Sequence, residues 1–297
     1  MRISESFTKK KALFSFEIFP PKATADLSAV TGTIETLAAL APDYISVTCG
    51  AGGSGNSRTA EIAALVKSAG AEPLAHVTCI HANKNDVDET LRTLNERGVR
   101  NVLALRGDRI EGVKESGDFR YASDLIAYIR KSGYDFDIAA ACYPERHPES
   151  KSRAEDLQNL KTKVDAGVTH LNTQLFFDNE DFYRFREDLE IAKINVPVQA
   201  GIMPLVKKNH IDRIITLSGA KIPAKISRMI ARFYDKPESL MEAGIAYAID
   251  QIVDLLSAGA AGVHLYVMNN AYVAKRITES IQPILAEING EFSHEGK

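Results

Sequence analysis

The sequence predicts an α/β protein of the (β/α)8 TIM-barrel class, built as a single domain. Three observations carry this expectation. Short apolar runs alternate with helix-patterned segments from one end of the chain to the other. No Pro-rich or Ser-rich linker interrupts the series. A chain of 297 residues with 45% hydrophobic content also matches the roughly 250 residues on which such barrels are usually built.

Residues 1–12 read as a polar extension, with a basic run Lys9-Lys10-Lys11 and no apolar segment behind it that would make a secretion signal. The barrel is expected over residues 13–288. Its strands are Leu13 to Phe19, Tyr44 to Cys49, Pro73 to Cys79, Asn101 to Leu105, Asp137 to Tyr143, His170 to Phe176, Pro197 to Met203 and Gly262 to Met268. Helices are expected near Asp26 to Leu40, Ser57 to Ala69, Asn85 to Gly98, Ala122 to Ser132, Ser152 to Ala166, Asn179 to Lys193 and Lys207 to Leu217, with two or three more in Pro223 to Ala258. Gly98, Gly167 and Gly259 each stand where a helix must end before a strand, a place that favours a left-handed residue. The polar tail, residues 289–297, is expected to fray.

The formal net charge is −3 with both signs interspersed, so no basic face offers itself to nucleic acid. No apolar stretch reaches the roughly 18 residues a membrane span requires. A soluble cytoplasmic protein with no membrane or nucleic-acid partner is expected. Cys49, Cys79 and Cys142 lack any C-x-x-C spacing and read as reduced thiols. All three fall at strand ends, where thiolates could hold zinc, but small apolar side chains are the stronger reading. No metal is expected.

In a barrel of this class the chemistry lies at the C-terminal ends of the strands, and here those ends are polar. Glu17 sits in the apolar run Phe14 to Phe19. It is either a general acid whose pKa burial raises, or a structural carboxylate paired with a Lys or Arg from the next strand. Arg106-Gly107-Asp108 could meet a phosphate and a polarised ring, or form a local ion pair around a turn. Asp156, Asn159 and Lys163 share one helix face, either a ribose and phosphate site or ordinary solvated surface. Gly50 to Gly55 formally satisfies G-x-G-x-x-G with Glu72 downstream, but a complete βα unit precedes it, so it reads as a flexible loop over the mouth.

Taken together, Phe16-Glu17-Ile18-Phe19-Pro20-Pro21, His76-Val77-Thr78-Cys79, Ala104-Leu105-Arg106-Gly107-Asp108, Tyr143-Pro144-Glu145-Arg146-His147-Pro148-Glu149, Lys163-Val164-Asp165-Ala166-Gly167 and Thr173-Gln174-Leu175-Phe176-Phe177-Asp178 resemble methylenetetrahydrofolate reductases, in order and from about Leu13 to Asn269. The resemblance implies a barrel that holds FAD without a Rossmann domain and reduces methylenetetrahydrofolate to methyltetrahydrofolate by ping-pong hydride transfer, in methionine biosynthesis. It implies FAD contacts at Thr48, His76, Arg106, Asp108, Tyr121, Ala122, Ala141, Tyr143, His147, Asp156, Asn159 and Lys163. Glu17 matches the general acid, Gln174 the amide that meets the pterin, and Asp108 an acid beside both flavin and pterin. Tyr266 falls with the folate contacts.

The chain departs from the bacterial pattern at His210, Ile214 and Asn270, positions near the folate and the electron donor. NADH is the expected donor, with NADPH or a partner redox subunit as alternatives, and the resemblance implies a homo-oligomer. The competing readings are a zinc- or pterin-dependent methyltransferase on the same barrel and a non-catalytic flavin- or folate-binding subunit.

Overall fold

The computed structural model describes residues 1–21, 26–49, 55–209, 211, 214 and 220–291. Eight strands, β1 (Leu13–Ile18), β2 (Tyr44–Val47), β3 (Pro73–Thr78), β4 (Asn101–Leu105), β5 (Asp137–Cys142), β6 (His170–Thr173), β7 (Val198–Ile202) and β8 (Gly262–Tyr266), close a barrel in chain order. Every pairing is parallel, and β1 meets β8 with Glu17 opposite Tyr266. The described helices are α1 (Ile3–Lys9), α2 (Ser28–Ala38), α3 (Gly55–Ser68), α4 (Lys84–Glu96), α5 (Ala122–Lys131), α6 (Arg153–Asp165), α7 (Asn179–Ile191), α8 (Ala224–Phe233), α9 (Pro237–Ser257) and α10 (Ala271–Asn289).

Alternation along the strands sorts the two faces of the barrel wall. Phe14, Phe16 and Ile18 of β1, Ile45 and Val47 of β2, and Ala75 and Val77 of β3 join the helices in the main apolar core. Each such side chain, fully buried, contributes roughly 1.5–3 kcal/mol. The alternate positions point inward. Leu13, Tyr44, Leu74, Leu103 and Ala139 form a small apolar cluster with Ile3 of α1. Above them the barrel interior is polar, with Ser15, Glu17, Ser46, His76, Asn172, Gln199 and His264 all buried.

Seven of the strands end one to three residues earlier than the sequence suggests, while β4 ends at Leu105 as expected. Thr48, Cys49, Tyr143, Gln174 and Met268 lie in the loops beyond, because the chain leaves the hydrogen-bonded ladder as it turns outward at the mouth. Residues 1–12, expected as a polar extension, instead contain α1, whose Ile3 is 1% exposed. The backbone N–H of Ile3 donates to Asn101 Oδ1 at 2.9 Å and that of Ser4 to Asp137 Oδ2 at 2.7 Å, so α1 closes the N-terminal end of the barrel. Asn289, expected in the frayed tail, ends α10, and its side chain bonds the backbone of Lys11 and Ala12.

The stretch Pro223 to Ala258 forms two helices, α8 and α9. Gly244 lets α9 approach the loop after β7, since a Cβ there would lie 2.1 Å from the Leu205 carbonyl oxygen. Of the helix expected over Lys207 to Leu217, Lys208, Asn209, Ile211 and Ile214 are helical, and the rest, His210 included, falls mainly outside the described residues. The glycine loop Gly50 to Ser54 lies outside them too, and Gly55 begins α3.

At the mouth the first and last strands are tied by a reciprocal pair of bonds. Phe19 N donates to Asn269 Oδ1 and Asn269 Nδ2 to Phe19 O, both at 2.9 Å. Met268 and Asn269 hold left-handed φ values of 50° and 56° to make that turn. Such values are rare outside glycine, though Asn tolerates them better than most.

Candidate active site

The strand ends and their loops enclose a cleft of about 1030 Å³, and every site residue expected from the sequence lines it. Of the three departures, His210 falls outside the described residues, and the other two do not line the cleft. Ile214 packs into an apolar cluster with Leu175, Phe177, Leu205 and Ile226. Asn270 caps α10 by accepting the Val273 N–H at 3.2 Å.

Glu17 is 8% exposed at the floor of the cleft. Neither reading made from the sequence describes its surroundings fully, because no Lys or Arg among the described residues pairs with it. Its Oε2 lies 3.3 Å from Ser46 Oγ, 3.4 Å from His76 Nε2 and 3.6 Å from His264 Nε2. Burial pushes its pKa up. The hydrogen bond with His264, the charges of His76 and His264 and the Ser46 hydroxyl outweigh that, and hold the carboxyl below the usual range. The raised pKa expected from burial alone is therefore overturned, because these partners outweigh burial.

Farther out the cleft carries two cations, Arg106 and Lys163, among several carboxylates. Arg106, at the end of β4, does not pair with Asp108. It makes a bidentate bond to Glu149 at 2.5 and 2.7 Å, and this holds the Glu149 carboxyl near a pKa of about 2. Lys163 on α6 is half-buried and donates to the Ala141 carbonyl at 2.5 Å, with burial lowering its pKa. On the same helix Asp156 is engaged by the loop before it. It accepts the His147 N–H at 3.0 Å and the Ser150 hydroxyl at 2.9 Å. Asn159 is exposed beside them. His147 stands edge-on to Tyr143, with ring centroids 4.6 Å apart. Tyr121, at the N-cap of α5, is 51% exposed on the rim with Ala122 next to it.

On the opposite side, Gln174 uses Oε1 to accept the Leu175 N–H at 2.9 Å. Tyr266 donates its hydroxyl to the Thr173 carbonyl at 2.6 Å. That bond needs Gly201, because a Cβ there would meet the Thr173 oxygen at 2.3 Å and the Tyr266 hydroxyl at 2.7 Å. Asp108 is exposed at the rim, and Thr48 is buried at the end of β2 with its N–H bonded to Ile18 O.

Sequence reasoning missed His264, Ser46 and Glu149 as parts of this arrangement. A signal for His264 existed: in β8 it is two residues before Tyr266, so period-two alternation places both on the inner face. Ser46 faces inward by the same rule, opposite Glu17 in the β1–β2 register. The partnership of Glu149 with Arg106 spans 43 residues and had no local sign.

Burial pushes the Cys79 thiol up to about 12 and raises Cys49 and Cys142 as well. Among the described residues no cluster of His, Cys, Asp or Glu is arranged to hold a metal ion, so the zinc methyltransferase reading has no ligand set there. Among the same residues no helix is long and apolar enough to cross a membrane.

Comparison with known proteins agrees with this geometry. In structure, the chain is similar to an uncharacterised protein from Clostridium thermocellum that binds two copies of 5-methyl-5,6,7,8-tetrahydrofolic acid. The TM-score is 0.67 at 12% identity, covering 96% of this chain and 99% of that one, a likeness of fold. In sequence, it is 35% identical to the 5,10-methylenetetrahydrofolate reductase of Escherichia coli, over 90% of each chain. It is also 35% identical to a probable methylenetetrahydrofolate reductase (NADH) of Oryza sativa, over 90% of this chain and 48% of that longer one. The profile of the family described as methylenetetrahydrofolate reductase matches residues 2–282, and the chain belongs to that family.

Proposed function

We propose that this enzyme carries out its family's reduction of methylenetetrahydrofolate with FAD as the bound flavin, NADH as the donor and Glu17 as the proton source. The observation that carries the proposal is the polarity of the cleft: a buried carboxylic acid at the floor, and an arginine and a lysine toward the rim. The residues fit a dinucleotide flavin. Lys163 donates to the Ala141 carbonyl, Arg106 presents a planar fork already holding two oxygens of a carboxylate, and Tyr121 offers an exposed ring on which a base can stack. FAD would supply the hydride to the folate.

The chain's own groups do the rest. Gln174, with Oε1 committed to the backbone, retains its amide NH2 to donate to a pterin acceptor. Glu17 gives a proton to a nitrogen of the five-membered folate ring, which opens that ring to a cationic iminium. Asp108 at the rim favours the cation electrostatically. Tyr266, fixed by Thr173 and made possible by Gly201, forms the wall on the folate side. Ile214 packs in an apolar cluster apart from the residues read as flavin contacts, and the name of the rice relative agrees with NADH as the donor.

The test is an anaerobic visible spectrum of the purified protein, followed by NADH and then methylenetetrahydrofolate. Flavin absorbance that bleaches with NADH and returns with the folate supports both half-reactions. Flavin that ignores NADH but is reoxidised by the folate after chemical reduction assigns another donor. A protein that takes up no FAD overturns the proposal. In Glu17→Gln the first half-reaction should persist and the second should fall by at least about 10²-fold.

A further inference from the structure

We propose that Lys163 is an aldehyde-modification site of the flavin-free chain: its amine condenses with small aldehydes to an imine, and bound flavin shields it. The inference rests on the reading of Lys163 as a flavin contact and adds a covalent chemistry that the reductase reaction does not use.

Lysines in this chain commonly reach a carboxylate, as Lys10, Lys161, Lys208, Lys225 and Lys275 do. Lys163 makes no ion pair among the described residues, and its Nζ donates to the Ala141 carbonyl at 2.5 Å. Helix α6 carries it half-buried on the wall of the cleft, together with Leu160 and Cys142, which are 5% and 2% exposed. The acid on the same helix, Asp156, is already taken by the His147 N–H and the Ser150 hydroxyl.

An ammonium in such a place loses hydration without gaining a counter-ion, and this favours the neutral amine. Lys10 shows the opposite case. Burial works against its charge too, but bonds to Asp43 and Glu291 outweigh that and raise its pKa. At Lys163 burial wins over the weaker pull of Cys142 and Asp156, and the pKa is lowered. A lysine amine that is neutral and open to a cleft is a nucleophile toward carbonyl carbon.

The Lys163 lone pair forms a C–N bond to the aldehyde carbon as the carbonyl π pair moves to oxygen. A proton passes from nitrogen to that oxygen and gives a carbinolamine. The nitrogen then expels the hydroxyl, which leaves as water with the second N–H proton, and the imine remains. Nothing is oxidised or reduced. The aldehyde is at hand in the substrate itself, whose methylene carbon bridges two nitrogens at the oxidation level of formaldehyde. Water splits that bridge into tetrahydrofolate and formaldehyde. A chain that meets the folate before its flavin is open to this reaction. A phosphate on Lys163 would hold it as the ammonium, whose proton occupies the lone pair.

The experiment compares the full-length protein stripped of flavin with the same protein loaded with FAD. Each is treated briefly with dilute formaldehyde and cyanoborohydride, whose hydride fixes every imine as a methylated amine, and mapped by peptide mass spectrometry. Without flavin, Lys163 should be methylated about tenfold or more faster than the exposed Lys207 and Lys236. Loading with FAD should slow it by a similar factor. A Lys163 rate no higher than theirs in the stripped protein overturns the proposal. Fast labelling of Lys163 with FAD bound, shown by its visible absorbance, overturns the shielding and the flavin contact with it. Methylenetetrahydrofolate in place of formaldehyde should mark the same residue, and a clean Lys163 there overturns the substrate as the aldehyde source. Lys163→Arg keeps the charge but forms no imine, so treatment should leave its FAD uptake where it was, while the treated unaltered chain takes up FAD about tenfold more weakly. Equal losses in both overturn the assignment to Lys163. Should Lys163→Arg fail to fold, the peptide map of the unaltered chain decides alone. A chain that takes up no FAD at all removes the proposed function, and the labelling contrast with Lys207 and Lys236 still decides whether the amine is reactive.

Discussion

The two ends of the barrel treat polar groups in opposite ways. At the closed end Asn101 is fully spent on the fold: Oδ1 accepts Ile3 N–H, and Nδ2 donates to Met1 O, Glu72 Oε1 and Pro73 O. Asp137 and Asn289 likewise bind backbone N–H groups that α1 and the start of β1 would otherwise leave unpaired. At the mouth, Lys163 holds one carbonyl, Arg106 a half-exposed carboxylate, and His76 Nε2 makes no hydrogen bond. A buried polar group without its full complement of partners costs stability. The difference is one of degree, since His170 Nε2 near α1 also makes no hydrogen bond: the closed end uses most of its polarity to hold the chain, and under the proposed function the mouth offers its own to a ligand.

The comparison can be broken most sharply by pH, since each end carries a buried imidazole lowered to about 4, His76 at the mouth and His170 near α1. Both are lowered below the ordinary histidine value, so the unfolded chain takes up protons first as pH falls. Stability is complete above about pH 6.5 and declines between pH 6.5 and 4, by on the order of 2 kcal/mol for each histidine. Urea midpoints at pH 7.5 and 4.5 measure it, and His170→Gln should remove about half of the decline. An equal decline in that variant would show that the closed end contributes nothing to it.

Asn101→Ala should cost about 3 kcal/mol in urea unfolding, because it strands several buried groups at once. Turnover per folded molecule should be unchanged, and a specific loss of activity would erase the division between the ends. Lys163→Met should do the reverse. FAD affinity, read by quenching of flavin fluorescence, should drop about tenfold or more, from a lost charge-assisted contact, while the urea midpoint holds or rises. The smallest effect is expected for Glu149→Gln. It frees Arg106 from a partner that is 50% exposed and worth little to stability, so FAD should bind a fewfold more tightly.

How much of this was readable beforehand follows the same division. The eight strands were legible because their outer faces are apolar and the segments between them carry helical spacing. Glu17 and the Arg106 to Asp108 turn stood out because charge interrupts an apolar run. Helix α1 was hidden, since its packing rests on Ile3 and Phe7 alone, set among polar residues. His264 was hidden in Gly262–Tyr266 because a histidine in an apolar strand looks like a satisfied core residue. The direction of the Glu17 shift was unreadable for a physical reason. Burial and hydrogen bonding push it opposite ways, and the winning partners come from strands 29, 59 and 247 residues away.

The seam between β1 and β8 also bears on how the chain becomes a protein. Glu17 finds Tyr266, and Phe19 finds Asn269, only after nearly the whole polypeptide exists. During synthesis the first strand waits with one edge unpaired, a template for mispairing with another copy. Ring closure is a contact of very high sequence separation, the kind that slows folding. The last strand therefore acts as the late step of assembly, and chains that stop short of it should accumulate as aggregates rather than as smaller, partly active barrels.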